Sequence, residues 1–235
     1  MPNPLSKVSR DAPVVFGVNA LEQRPDMARR IGLIVSAWSY VEHAQALLLA
    51  KLLGTKARIA VAIWEKLTSA ALAKREVLQA AAEAVLPDED LLLFNALMAL
   101  VRSRAKERNT VAHGMWAYSA TLSDALLLIP SNDILDMRAS ASRHPVEAVR
   151  RRRSPLLFDS VMVYTASDFD RIYARIFTVQ QDLEVFRELV DGPPEQHGEI
   201  RQRLSRAPEI LEFLRTGPPP SPRQSPPPPE PQSGE

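Results

Sequence analysis

The sequence predicts a mainly α-helical bundle with a small β-hairpin or sheet insertion and a disordered proline-rich C-terminal tail. Three observations carry that expectation. Long segments repeat their apolar residues every three or four positions, residues 116–165 switch to alternating and β-branched runs, and nine prolines fall in the last twenty residues. At 235 residues the chain can bury one sizeable core with appendages. The expected organisation is an irregular lead-in (1–24), a helical domain (25–191) holding the β insertion at about 116–165, a short helical segment (192–215) and the tail (216–235).

Taken in order, residues 1–24 show little periodicity, with at most a short extended piece at Val14 to Val18. The first long helix is expected from Arg24-Pro25-Asp26, because proline is tolerated in a first turn and an acidic residue there favours the dipole. Its stripe is Ile31, Ile34, Trp38, Val41, Leu48 and Leu52, and Gly54 supplies the stop. A shorter helix is expected over Lys56 to Lys66, and an alanine-rich one over Ser69 to Val85. Pro87-Asp88 opens the next. Its run Leu91 to Val101 is apolar nearly all round, as an enclosed helix requires, while its second half turns basic and ends at His113-Gly114.

Beyond Gly114, Trp116 to Ile129 and Leu156 to Thr165 read as strands, with 131–153 a long polar loop ending in Arg150-Arg-Arg-Arg153. Thr165-Ala-Ser-Asp168 resembles an N-cap before Phe169, Ile172, Ile176, Val179, Leu183, Phe186 and Val190, a helix that should run to Asp191. Gly192-Pro193-Pro194 ends it. A last helical piece, Gly198 to Arg215, is broken by Pro208, and the tail is expected to be disordered with polyproline-II character.

Several function classes drop out early. The chain has no cysteine, which excludes disulfides, thiolate nucleophiles and cysteine-based zinc sites. The histidines His43, His113, His144 and His197 are too scattered to spell a metal site, and no cofactor or metal is expected. MPNPLSKVSRDAPVV lacks the apolar core of a signal peptide and no window is long enough to span a bilayer, so a cytoplasmic protein without membrane partners is expected. Net charge is only +1, so affinity for nucleic acid must come from local clusters. Two exist: Arg102, Arg104, Lys106 and Arg108 in one, Arg150, Arg151, Arg152 and Arg153 in the other. Either could contact RNA phosphates, or simply form a solvated face and a basic loop.

Chemistry concentrates in Arg108-Asn109-Thr-Val-Ala-His113. Cleaving RNA without a metal needs a group that moves a proton and a fixed cation where phosphorane charge grows, and imidazole and guanidinium supply these. On an ideal helix Asn109 and His113 share a face, whereas Arg108 and His113 are splayed by about 140°. Either the last turn is distorted, or the site combines Arg108 of one subunit with His113 of another. Plainer roles compete: His113 suits a helix C-terminus, Arg108 could pair with Glu42 at the edge of the first apolar stripe, and Trp38, Trp64 and Trp116 suit core anchors.

Arginine, asparagine, three residues and histidine at the end of a long helix resembles the signature of the HEPN superfamily, in architecture over about residues 25–190 and in motif over about ten residues. The resemblance implies a helical bundle that dimerises and a metal-independent endoribonuclease, with Arg108 and His113 as the catalytic pair, Asn109 beside them and a setting in defence, toxin or stress response. It equally admits a non-catalytic module that binds RNA or a protein. Some toxin-type members carry a modifiable tyrosine two residues after the histidine. Here Met115 stands there and Tyr118 is out of register, so that control is not expected. The tail could dock on a protein partner, though a spacer is its simpler use.

Overall fold

The computed structural model describes residues 2–9, 12–67, 71–130 and 159–216. The fold is mainly helical with a small antiparallel sheet. Its helices are α1 (Leu5–Val8), α2 (Pro25–Leu52), α3 (Ala57–Lys66), α4 (Ala71–Val85), α5 (Asp88–His113), α6 (Ala166–Asp191), α7 (Pro194–Ser205) and α8 (Pro208–Thr216). The strands are β1 (Asn3–Pro4), β2 (Val15–Phe16), β3 (Met115–Ser119), β4 (Leu122–Ile129) and β5 (Met162–Thr165). No described helix is long and apolar enough to cross a membrane.

The long helices follow the expected bounds closely, for local reasons. Gly54 takes φ +57° just past α2, its N–H donating to Lys51 and that of Thr55 to Ala50, the paired bonds that close a helix C-terminus. At the start of α6 the Asp168 carboxylate accepts from the Thr165 backbone N–H at 3.1 Å and its hydroxyl at 2.9 Å. Burial alone would raise that carboxyl's pKa; these bonds outweigh it and the pKa is lowered.

Helices α2, α5 and α6 enclose the main core. Ion pairs Arg30–Asp170 and Lys51–Asp191 sit at matching intervals on α2 and α6, which therefore run parallel and in step. Helix α5 runs the other way along α6: Phe94 meets Phe186 with ring centroids 5.9 Å apart, Glu107 meets Arg175, and Trp116, just past α5, meets Phe169 at 5.6 Å. Phe94, Leu97, Ile34, Leu48, Ile176 and Phe186 are fully buried between them. At roughly 25 cal/mol per Å² of apolar area removed from water, such side chains supply most of the drive for the bundle.

Two expectations need correction. The short extended piece expected at Val14 to Val18 is present as β2, but the lead-in is more regular than expected: β1 pairs with β5 and β2 with β3, giving a sheet of order β1-β5-β4-β3-β2 whose two edge strands both come from it. Two-residue strands carry no periodicity, so their sequence could not show this. Leu5 on α1 and Ala12 then cover one face of the sheet with Ala117, Ala125, Leu127 and Val163, while Trp116, Leu126, Leu128 and Tyr164 on the other face meet the helices. Both faces are buried, which explains why the run Ala125 to Ile129 is continuously apolar rather than alternating. The second correction is at the C-terminus. Pro194 does not merely follow a stop but occupies the first turn of α7, where its missing N–H costs nothing, and Pro208 likewise opens α8.

Gly114 links the motif helix to β3 in extended conformation, φ −64° and ψ 141°. A Cβ there would run into Leu128 Cδ1 and lie 2.7 Å from the Thr110 carbonyl oxygen. Close approach, not a left-handed backbone, demands glycine here.

Candidate functional site: the outer face of the motif helix

The helical period sorts the basic half of α5 into two faces. Arg104 and Val111 fall on the stripe that includes Leu97 and Val101 and are buried with it. Arg102, Lys106, Asn109 and His113, spaced by four, three and four residues, fall on another; Arg102 is half-buried and the other three are exposed.

The inner face is a closed charge network. Arg104, only 5% exposed, pairs with Glu107 on its own helix and with Glu209 of α8. Glu107 Oε1 also accepts from Arg175 of α6 at 3.0 Å, while its Oε2 and the Arg104 Nε are buried without a partner among the described residues. Beside them Asp182 on α6 is pushed up to about 6 by burial first, with Glu209 adding to the rise and Arg203 opposing it. Tyr164 is raised by burial and then by the Asp168 and Glu107 carboxylates. Arg104 was expected to offer charge to RNA. The structure assigns it to holding α8 on α5, because its position on the wheel points inward and its charge is already matched by carboxylates.

The outer face is different. Arg108, one turn past Arg104, belongs by register to the inner stripe and is half-buried, its Nε enclosed without an acceptor among the described residues, but its guanidinium turns outward to donate from NH1 to Asn109 Oδ1 at 2.9 Å. Asn109 lies one turn before His113 on the same face. His113 is exposed and makes no hydrogen bond or ion pair with a described residue. Glu42 does not meet Arg108: it accepts at 3.2 Å from the Nε1 of Trp38, one turn earlier in α2, which satisfies it locally. The Arg102 pKa is lowered by burial first and then by the charge of Arg75 on α4.

The aromatic anchors take their expected places. Trp38 and Trp64 are buried, and Trp116 stacks edge-on to Tyr164 at 5.3 Å while donating to the Val111 carbonyl at 3.2 Å, which ties the end of α5 to the sheet. Arg150 to Arg153 and the tail beyond Thr216 lie outside the described residues. Among the described residues no three His, Asp or Glu side chains converge as a metal site requires.

Sequence reasoning missed Arg75, Arg175 and Glu209. Nothing local marks them, because each acquires its meaning from a neighbour on another helix. Arg104 did carry a signal, its shared register with Leu97 and Val101. Comparison with protein-family models, curated proteins and solved structures gives no match.

Proposed function

We propose that this chain is a metal-independent endoribonuclease of HEPN type acting through Arg108, Asn109 and His113. The observation that supports it most is the Arg108–Asn109 hydrogen bond. It draws a guanidinium that starts about 140° from His113 towards the face that His113 shares with Asn109. In this mechanism the His113 imidazole takes the proton of a ribose 2′-hydroxyl. The 2′-oxygen bonds to phosphorus as the bond to the 5′-oxygen breaks, and the departing 5′-oxygen takes a proton from water, the proton held on His113 then passing to solvent. The products are a 2′,3′-cyclic phosphate and a 5′-hydroxyl. Arg108 meets the negative charge that grows on the phosphoryl oxygens.

RNA cleavage in EDTA tests the reading. Activity should persist without metal and fall at least about 100-fold in His113→Ala and in Arg108→Ala. No wild-type cleavage, or equal rates in all three, overturns it. One observation favours the non-catalytic alternative, an RNA-binding or protein-interaction module: among the described residues His113 has no orienting partner of the kind that usually fixes a general base. Wild-type binding without cleavage would establish that alternative.

A homodimer belongs to the proposal. Leu33 and Tyr40 on α2 and the stacked pair Tyr173 and Phe177 on α6 are exposed along two helices that lie side by side. Light scattering should give twice the chain mass, reduced to one chain by Phe177→Glu. A monomeric wild type removes the dimer from the proposal.

A further inference from the structure

Helix α3 buries little of itself. It packs on α2 through Ala60 and Trp64, its two buried residues, and the Lys74 ammonium of α4 lies 5.1 Å above the Trp64 ring. A neighbouring face carries Ile59 and Ile63, one turn apart and 45% and 42% exposed.

The arrangement around these two isoleucines is specific. Ile59, Ala62, Ile63 and Lys66 are all exposed and stand at positions i, i+3, i+4 and i+7 of one helix. Four residues in that diamond form the hole that receives a side chain from a facing helix, and Ala62 keeps one wall of it low. Arg58 and Leu67 extend the same shallow groove at its edges. Its walls are therefore aliphatic, with a cation towards each end. Glu65, the one carboxylate of α3, does not line it, and Lys56, exposed just before the first turn, adds positive charge nearby.

Charge separates this groove from the comparable one on α8. There Leu211 and Leu214 are exposed, but Glu212 and Arg215 beside them pair with each other at 2.7 Å and their charges cancel. The two charges lining the α3 groove have one sign, which favours an anionic partner. A bilayer surface would meet the same cations but offers no side chain to enter the hole. It would also bury Lys66, which stands only about 20° from Ile59 and 60° from Ile63 around the helix.

We propose that α3 docks an amphipathic helix of a partner protein. That helix sets an aliphatic side chain into the hole formed by Ile59, Ala62, Ile63 and Lys66 and carries carboxylates opposite Arg58 and Lys66. The surface shares no residue with the motif face, so the inference stands whether or not the chain cleaves RNA.

The test is fluorescence anisotropy of the full chain with a labelled two-heptad peptide that has leucine at a and d and glutamate at e and g, beside a twin with lysine in place of glutamate. At low salt the acidic peptide should bind at least about 10-fold tighter than the basic one, and about 0.5 M salt should narrow the difference. Ile63→Ser should weaken the acidic peptide about 10-fold, and Lys66→Glu should reverse the order of the two peptides. Leu211→Ser, on the charge-balanced ridge of α8, should change neither affinity. All three positions are exposed, and melting curves check that each variant is folded; Ile59→Ser repeats the test should Ile63→Ser melt early. No saturable binding of the acidic peptide below about 1 mM, equal binding of the two peptides, or an affinity untouched by the serine variant overturns the proposal. Three other occupants of the face overturn it as well. They are vesicles of phosphatidylcholine and phosphatidylglycerol that bind wild type but not Ile63→Ser, a second copy revealed by a light-scattering mass that halves in Ile63→Ser, and a peptide of residues 217–235 that displaces the acidic probe.

Discussion

Arg102 and Arg104 are two residues apart on one helix and have opposite surroundings. Arg104 is buried between Glu107 and Glu209, whereas Arg102 lies with Lys106 on a face where no described carboxylate pairs with either. A linear sequence shows four cations in seven residues as one basic patch. The 100° turn per residue divides that patch into a structural half and a half available to a ligand. Charge density along the chain therefore says less about function than charge on a given face.

That contrast can be broken by mutation. Arg104→Ala leaves Glu209 and Glu107 short of a partner at the α5–α8 contact; because Glu209 is 43% exposed, the loss should be about 2–3 kcal/mol rather than the full cost of a wholly buried pair. Urea unfolding at pH 7.5 measures it. Lys106→Gln, on the outer face, should stay within about 0.5 kcal/mol by the same measurement. Equal costs for the two would mean that the division into faces has no energetic content.

Acidity sharpens the comparison with a smaller effect. The Asp182 carboxyl faces Glu209 of α8 and Arg203 of α7 and is pushed up to about 6, above the ordinary 3.8. A raised pKa means that protonation is favoured by folding. The stabilisation is therefore complete below about pH 4 and is lost as pH rises through about 6. Discounted for the carboxyl's partial contact with solvent, the change should be about 1 kcal/mol. Stability of Asp182→Asn should lack this fall between pH 4 and 7. Parallel curves for variant and wild type would place Asp182 outside the network.

Much of this architecture was legible beforehand. The apolar stripes of α2 and α6, the stop at Gly54 and the cap at Thr165 are local, and the sequence states them directly. The inward register of Arg104 was also there to be read beside Leu97 and Val101. What lay beyond reach depends on which helices become neighbours. Glu209 reaches Arg104, and the charge of Arg75 is felt at Arg102, only because α8 and α4 pack on α5. Glu42 shows the same limit from the other side: an edge carboxylate suggested a distant arginine, and a tryptophan one turn away satisfied it.

The sheet has a bearing on the order in which the molecule assembles. Residue 3 pairs with residue 163 and residue 15 with residue 118, so both edges of the sheet close across a hundred residues or more, while α2 and α5 need only their own residues to coil. Closing such long loops costs chain entropy that nothing local repays, so the pairing of the edge strands β1 and β2 is expected after the local β3–β4 hairpin and the helices have formed. Gly114 stands at the junction of the two. The motif helix and the β3–β4 hairpin are both local, and Leu128 of that hairpin packs against Gly114, so the final turn before His113 is set by neighbours in sequence and does not wait for the distant edges of the sheet.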